Sequence, residues 1–262
     1  VSQHYTIVKE CLKRNIHVLC EKVLSDNIDQ INELIALAEK HQVILDVDYT
    51  FLENSIVKEI KRILDSKQLG GINYLTFKRT GLGPIRNDVN VIYDLLAHDI
   101  SILIFWLGIP QWVIATERCI LNNQKADIAF IQIGFSNNII VNLQASWLSP
   151  LKQRQIEIIS EKGMIIFDDT TPSEKLKIIH TKTDYQSMAT DFGSFQLSIK
   201  SGDIVIPNIN YPEPLKEKFN SFLSKVSTHQ VDHNIIETII INSKVLEAIK
   251  LSSTQDSKKI II

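Results

Sequence analysis

The 262-residue chain has no run of eighteen apolar residues, so it offers no helix able to span a membrane. Even its most apolar stretch, IIETIIINSKVLEAIKL, is broken by Glu237, Asn242 and Lys244. Neither sign of charge is in surplus. The 28 basic and 30 acidic residues leave a formal charge of −2, which excludes the basic footprint of a nucleic-acid binder. Cys11, Cys20 and Cys119 make no CxxC pair, so free thiols, mostly buried, in a reducing cytoplasm are expected. The histidines show no ligand spacing either, and no metal is expected. No secretory signal is expected, and the sequence shows no internal repeat and no low-complexity segment. Finally, there is no GxGxxG: GLGPIR at 81–86 holds two glycines and lies far from where a phosphate loop belongs.

What is present alternates. HYTIVKECLKRN places apolar residues at 5, 7, 8, 11 and 12, a helical spacing, and IHVLC follows as a short strand. SDNIDQINELIALAEKHQ puts Ile28, Ile31, Leu34, Ile35 and Ala38 on one face, with Ser25 or Asp26 as N-cap. VILDVDYTF is a second strand, and NSIVKEIKRILDSKQLGG a helix stopped by Gly70-Gly71. Strands alternating with amphipathic helices imply a parallel, doubly wound sheet. From residue 72 the pattern becomes a series of strand-like runs parted by turns such as SNN and EKG, interrupted by one helix over VIYDLLAHDISILIFWLG. Two helices, EPLKEKFNSFLSKVST and HNIIETIIINSKVLEAIKLSS, and a last strand, KKIII, close the chain. The expected fold class is α/β plus α+β: the C-terminal part of a Rossmann-type parallel domain over 1–50, then an α+β domain over 51–262 with a large open, mainly antiparallel sheet.

Two places draw attention as chemistry. In HVLCEKVLSDN an apolar strand ends in Glu21-Lys22. A lysine at the carboxyl end of a parallel strand lies where such sheets bind ligands and can steady a developing alkoxide. Viewed alone, a solvated lysine after a strand is the favoured reading. In YDLLAHD, Asp94 and His98 are four apart, so on an α-helix they share one face. A carboxylate beside an imidazole fixes its tautomer and raises its basicity. A capped helix start with a hydrogen-bonded histidine is the plainer reading of that spacing. Arg79, Lys152 and Arg154 sit at strand ends or turns, where they are either exposed bases or contacts for phosphate or carboxylate.

These signals fall in an order that resembles the glucose–fructose oxidoreductase / inositol dehydrogenase / MocA family. HVLCEKV looks like the family's strand ending in Glu-Lys-Pro, with Val23 in place of the proline, and YDLLAHD looks like its Asp-x-x-x-His motif. The resemblance implies a two-domain NAD- or NADP-dependent oxidoreductase that oxidises a hydroxyl of a sugar, nucleotide sugar or cyclitol. Carried over, Lys22 orients the substrate hydroxyl, His98 is the general acid/base, and Asp94 holds the substrate or His98. Glu21 and Lys22 lie at the nicotinamide end of the cofactor. SWLSPLKQRQIEIISEKGMIIFDD further resembles members acting on nucleotide sugars such as UDP-N-acetylhexosamines, where Lys152 and Arg154 would meet phosphate or carboxylate groups.

The family's glycine loop belongs ahead of Val1. At about 30 residues per βαβ unit, roughly 80 residues are expected to precede it. This piece alone is therefore expected to bind dinucleotide poorly. The large sheet, with alternating runs such as AFIQIGF, is expected to mediate homo-oligomers. A catalytically silent relative serving as a binding or assembly scaffold is the alternative. Elimination chemistry on the same scaffold ranks behind it, because no metal-ligand set is evident.

Overall fold

A computed structural model describes residues 3–83, 89–121, 125–183 and 199–262. It opens with α1 (His4–Lys13), β1 (Val18–Glu21), α2 (Ile28–His41) and β2 (Leu45–Asp48). The strands β1 and β2 pair in parallel, Val18 with Leu45 through Glu21 with Asp48. On α2, Ile31, Leu34 and Ala38 are buried, the three-and-four spacing read from the sequence. Its N-cap is Asn27, not Ser25 or Asp26: the Asn27 side chain accepts from the N–H groups of Asp29 and Gln30. Ser25 is turned inward, where its hydroxyl donates to Gln30 Oε1.

A 3-10 turn (Thr50–Glu53) then leads into α3 (Ser55–Asp65). The side chain of Asn54 caps α3 by accepting from Ile56 and Val57 N–H, and Ile56, Val57, Ile60 and Ile63 bury one face. The helix ends at Asp65, short of the expected glycine pair, and the chain reaches β3 through turns that include Gly70 at φ +77°.

Nine strands form the second sheet: β3 (Ile72–Thr80), β4 (Trp112–Arg118), β5 (Ile128–Gly134), β6 (Ile140–Ser146), β7 (Gln153–Ser160), β8 (Gly163–Asp168), β9 (Leu176–Thr183), β10 (Ile199–Val205) and β11 (Ile260–Ile261). Their order is β10-β9-β8-β7-β3-β6-β5-β4-β11. All neighbours run antiparallel except β3 and β6, a parallel pair that the reading of successive hairpins missed. That reading also missed β10, whose SGDIV segment carries too few apolar residues to signal a strand. Gly134 lies opposite Trp112, and a side chain there would collide with the indole.

One face is covered by α3 together with α4 (Ala97–Leu107) and α6 (His233–Thr254), whereas α5 (Pro214–Thr228) lies against the 3-10 turn after β2. α4 is apolar almost all round, as a helix enclosed between sheet and helix must be. The other face keeps half-exposed apolar side chains at Tyr74, Phe130 and Ile140.

A second core joins α1, β1, α2 and β2 to Ile235 and Ile239 of α6, so the chain's end returns to complete its beginning. The bond is electrostatic as well. Asp46, fully buried on β2, accepts from Lys218 Nζ at 2.6 Å and Lys225 Nζ at 2.9 Å, both on α5. GLGPIR lies partly outside the described residues, at 84–86. No helix among the described residues is long and apolar enough to cross a membrane.

Candidate functional site

Six segments converge at the carboxyl end of β1. β1 delivers Glu21 and Lys22; the 3-10 turn after β2 delivers Phe51; β3 delivers Arg79; a π-helical turn (Ile92–Leu96) delivers Asp94; α4 delivers His98 and Asp99; β7 delivers Arg154. Parallel sheets bind ligands at this end of their strands.

Lys22 is pinned to the π turn. Its ammonium donates to the main-chain carbonyls of Tyr93, at 3.3 Å, and Asp94, and lies 3.8 Å from the Asp94 carboxylate. The Lys22–Val23 peptide is cis, and the Val23 carbonyl meets His4 Nδ1 at 2.8 Å. Glu21 is exposed at the strand end, paired in register with Asp48.

The expected helix over 92–107 is two pieces. Residues 92–96 are π-helical and only Ala97–Leu107 is α-helical. A π turn carries an extra residue, so a spacing of four no longer guarantees a shared face. Asp94 accordingly pairs with Lys22. Nδ1 of His98 is buried with no hydrogen-bond partner among the described residues, so no carboxylate holds that nitrogen. Burial, reinforced by the cations of Arg79, Lys22 and Arg154, pushes the His98 pKa well below its usual 6.5. The imidazole is therefore neutral at physiological pH, the form able to take a proton.

Arg79 has its carboxylate partner within the chain. Its Nε donates to both Asp99 oxygens at 3.0 Å and its Nη2 to Oδ1 at 2.5 Å, a pair buried to 9% and 2% side-chain exposure. Burial works to lower the arginine pKa, but the charge and hydrogen bonds of Asp99 outweigh it and leave it raised. Arg154, across the β3–β7 ladder from Arg79, is 43% exposed and lies 3.5 Å from Asp169. Lys152 is exposed in the turn before β7. Arg154 and Lys152 thus stay open to solvent at the edge of the cleft, whereas Arg79 is enclosed.

Sequence reading missed Phe51 and His4. Phe51 lies three residues past the end of β2, and an aromatic residue beyond the carboxyl end of a parallel strand was the available signal. His4 opens α1, and nothing in its spacing marks it. Among the described residues no cluster of three or more His, Cys, Asp or Glu side chains could hold a metal.

A parallel unit ending in a lysine thus lies beside an open sheet whose apolar helix α4 bears a neutral histidine. Residues 2–49 match the oxidoreductase family, NAD-binding Rossmann fold, and 57–166 match the GFO/IDH/MocA C-terminal domain. Together these matches span more than half of the chain, and it belongs to the GFO/IDH/MocA family. It is 23% identical over 182 residues, 65% of the chain and 53% of the relative, to an uncharacterised oxidoreductase of Bacillus subtilis. It is 22% identical over 146 residues, 55% of the chain and 45% of the relative, to UDP-N-acetylglucosamine 3-dehydrogenase of Acidithiobacillus ferrooxidans. The fold matches an inositol dehydrogenase homologue from Azotobacter vinelandii, complexed with NAD+, at a TM-score of 0.77 and 12% identity, covering 99% of the chain and 76% of that one. The chain spans about half the length of the curated relatives it matches.

The family implies a nicotinamide dinucleotide, and the residues fit one end of it. The carboxyl ends of β1 and β2 open onto Lys22 and the His98 turn, with Glu21 exposed beside them. Glu21 and Lys22 would hold the nicotinamide end. The sequence contains no GxGxxG to cradle the phosphates.

Proposed function

We propose that this chain carries the substrate site of an NAD(P)-dependent dehydrogenase acting on a hydroxyl of a sugar, nucleotide sugar or cyclitol. The observation that carries the reading is the convergence of Lys22, Asp94 and a neutral His98 at the carboxyl end of β1. Bound there, the dinucleotide supplies the hydride acceptor. His98 takes the hydroxyl proton as hydride leaves the same carbon, and returns it in the reverse direction. Lys22 steadies the oxygen as it gains negative charge, and Asp94 fixes the ammonium beside it. The exposed Lys152 and Arg154 flank this centre and suit the phosphates of a nucleotide sugar. The similarity to a UDP-N-acetylglucosamine dehydrogenase supports that substrate class.

The division we propose is residues 1–50 for the dinucleotide unit and 51–262 for the substrate unit, with α6 returning to the first core. Three free thiols support a reducing, cytoplasmic setting. Tyr74, Phe130 and Ile140, 41–51% exposed on the uncovered sheet face, support a homo-oligomer through that face.

The test is titration with NADH and NADPH, followed by nicotinamide fluorescence. It uses the chain alone and the chain joined behind a family glycine-loop half. Binding by the joined form and weak binding by the chain alone are expected; no binding by either would defeat the reading.

A further inference from the structure

A general base needs its ring held in one orientation, and the usual device is a hydrogen bond to the nitrogen that does not react. His98 lacks that device, since its Nδ1 is buried and unpartnered among the described residues. The carboxylates nearest in sequence are otherwise engaged: Asp94 lies beside Lys22, and both oxygens of Asp99 accept from Arg79. Packing has to hold the ring, and the structure shows which packing. The Phe51 ring lies 5.4 Å from the His98 ring, centroid to centroid, at 60°, a tilted aromatic pair. The Arg79 guanidinium lies over the Phe51 ring at 4.7 Å, within cation–π range.

We propose that Arg79 is a positioning residue for His98, acting through Phe51 on the ring and through Asp99 on the helical turn that carries it. The two routes converge. Asp99 is the neighbour of His98 on α4, so the Arg79–Asp99 pair ties that turn to β3. The same guanidinium presses on the ring that presses on the imidazole. A planar fork suits both duties at once, two parallel hydrogen bonds in its plane and an aromatic ring against its face, which a lysine would not reproduce. The arrangement also keeps a cation close to the base while Asp99 balances most of its charge. The charged groups around His98 are then Lys22 after β1, Asp94 on the π turn, Arg79 on β3, Asp99 on its own helix and Arg154 on β7.

This inference rests on His98 being the base, and its test reads the ring directly. The chain is labelled with 15N/13C histidine, and the His98 ring signals are identified by their loss in His98→Asn. The expected wild-type result is one sharp set of ring signals with nuclear Overhauser contacts to Phe51. In Phe51→Leu and Arg79→Met these signals broaden or split while the remaining histidine signals stay in place; Phe51→Tyr restores them. Arg79→Lys keeps the charge and still loses the single set. In the dehydrogenase assay the same substitutions lower kcat on the order of 100-fold, the scale of a misplaced reacting group, with little change in KM. Unchanged ring signals in Phe51→Leu and Arg79→Met, with folded spectra, would overturn the proposal. Should the wild type, joined behind a family glycine-loop half, oxidise no polyol, the functional reading fails, and the ring signals still decide the positioning role.

Discussion

The Lys22 ammonium donates to the main-chain carbonyl of Asp94, so the end of a parallel strand is tied to the π turn that leads into His98. Two units of different architecture thereby share one contact at the cleft. A change at either end of it should be felt in chemistry more than in folding, because both side chains are only partly enclosed, at 13% and 22% exposure.

Replacing Lys22 by Met removes a donor near the developing oxyanion. A loss of about 100-fold in kcat is expected, the scale found for a single oxyanion donor. KM for the polyol should rise as well, because the hydroxyl loses its orienting partner. Steady-state kinetics with the melting temperature recorded alongside separates this from unfolding; an unchanged kcat would remove Lys22 from the chemistry.

The depressed pKa of His98 predicts a pH dependence of stability. Below about 6.5 the unfolded chain binds a proton at this histidine that the folded chain refuses. This contribution is therefore fully present above 6.5 and is lost progressively as pH falls toward the folded value. In His98→Asn that part of the slope disappears. Urea midpoints of both proteins across this window check it, and parallel curves would contradict the burial argument.

Asp46 is the buried centre of an ion cluster with Lys218 and Lys225. Asp46→Asn leaves Lys218, 2% exposed, without its counter-charge. Breaking one side of such a pair costs about 3–5 kcal/mol. Chemical denaturation should show a loss of this size, with α5 released first in hydrogen exchange. A change below 1 kcal/mol would mean that water reaches the cluster.

Phe130, 51% exposed, lies on the uncovered sheet face on β5, the third strand from the β11 edge. Phe130→Glu places a charge there without touching the covered face. Sedimentation should show the assembly reduced to monomers while the fold persists. A wild-type monomer would argue against assembly through this sheet.

Both the parallel opening and the antiparallel sheet were legible because they rest on periodicity, three-and-four in α2 and α3 and two in β5 and β6. Lys22 stood out only through its likeness to the family's Glu-Lys-Pro strand end, because a lysine after an apolar strand is by itself most simply a solvated one. The pairing of Asp94 was not, because it depends on a π turn, and a one-residue change in helical pitch leaves no trace in the apolar pattern of VIYDLLAHDISIL. Arg79 reads as a base beside a turn, and only the packing of β3 against α4 shows that Asp99 claims it. The parallel β3–β6 pair was hidden for a similar reason, since register between distant strands is set by the whole sheet.

The central claim is that His98 exchanges the proton of the oxidised hydroxyl. The most direct measurement is NAD(P)-dependent oxidation of a panel of nucleotide sugars, aldoses and inositols, followed by reduced-nicotinamide absorbance, with a glycine-loop half joined ahead of Val1. Wild type and His98→Asn are compared. The account predicts turnover by the wild type on at least one member and a loss of about 100-fold or more in kcat for His98→Asn at unchanged dinucleotide affinity. Equal turnover by the two proteins would contradict it.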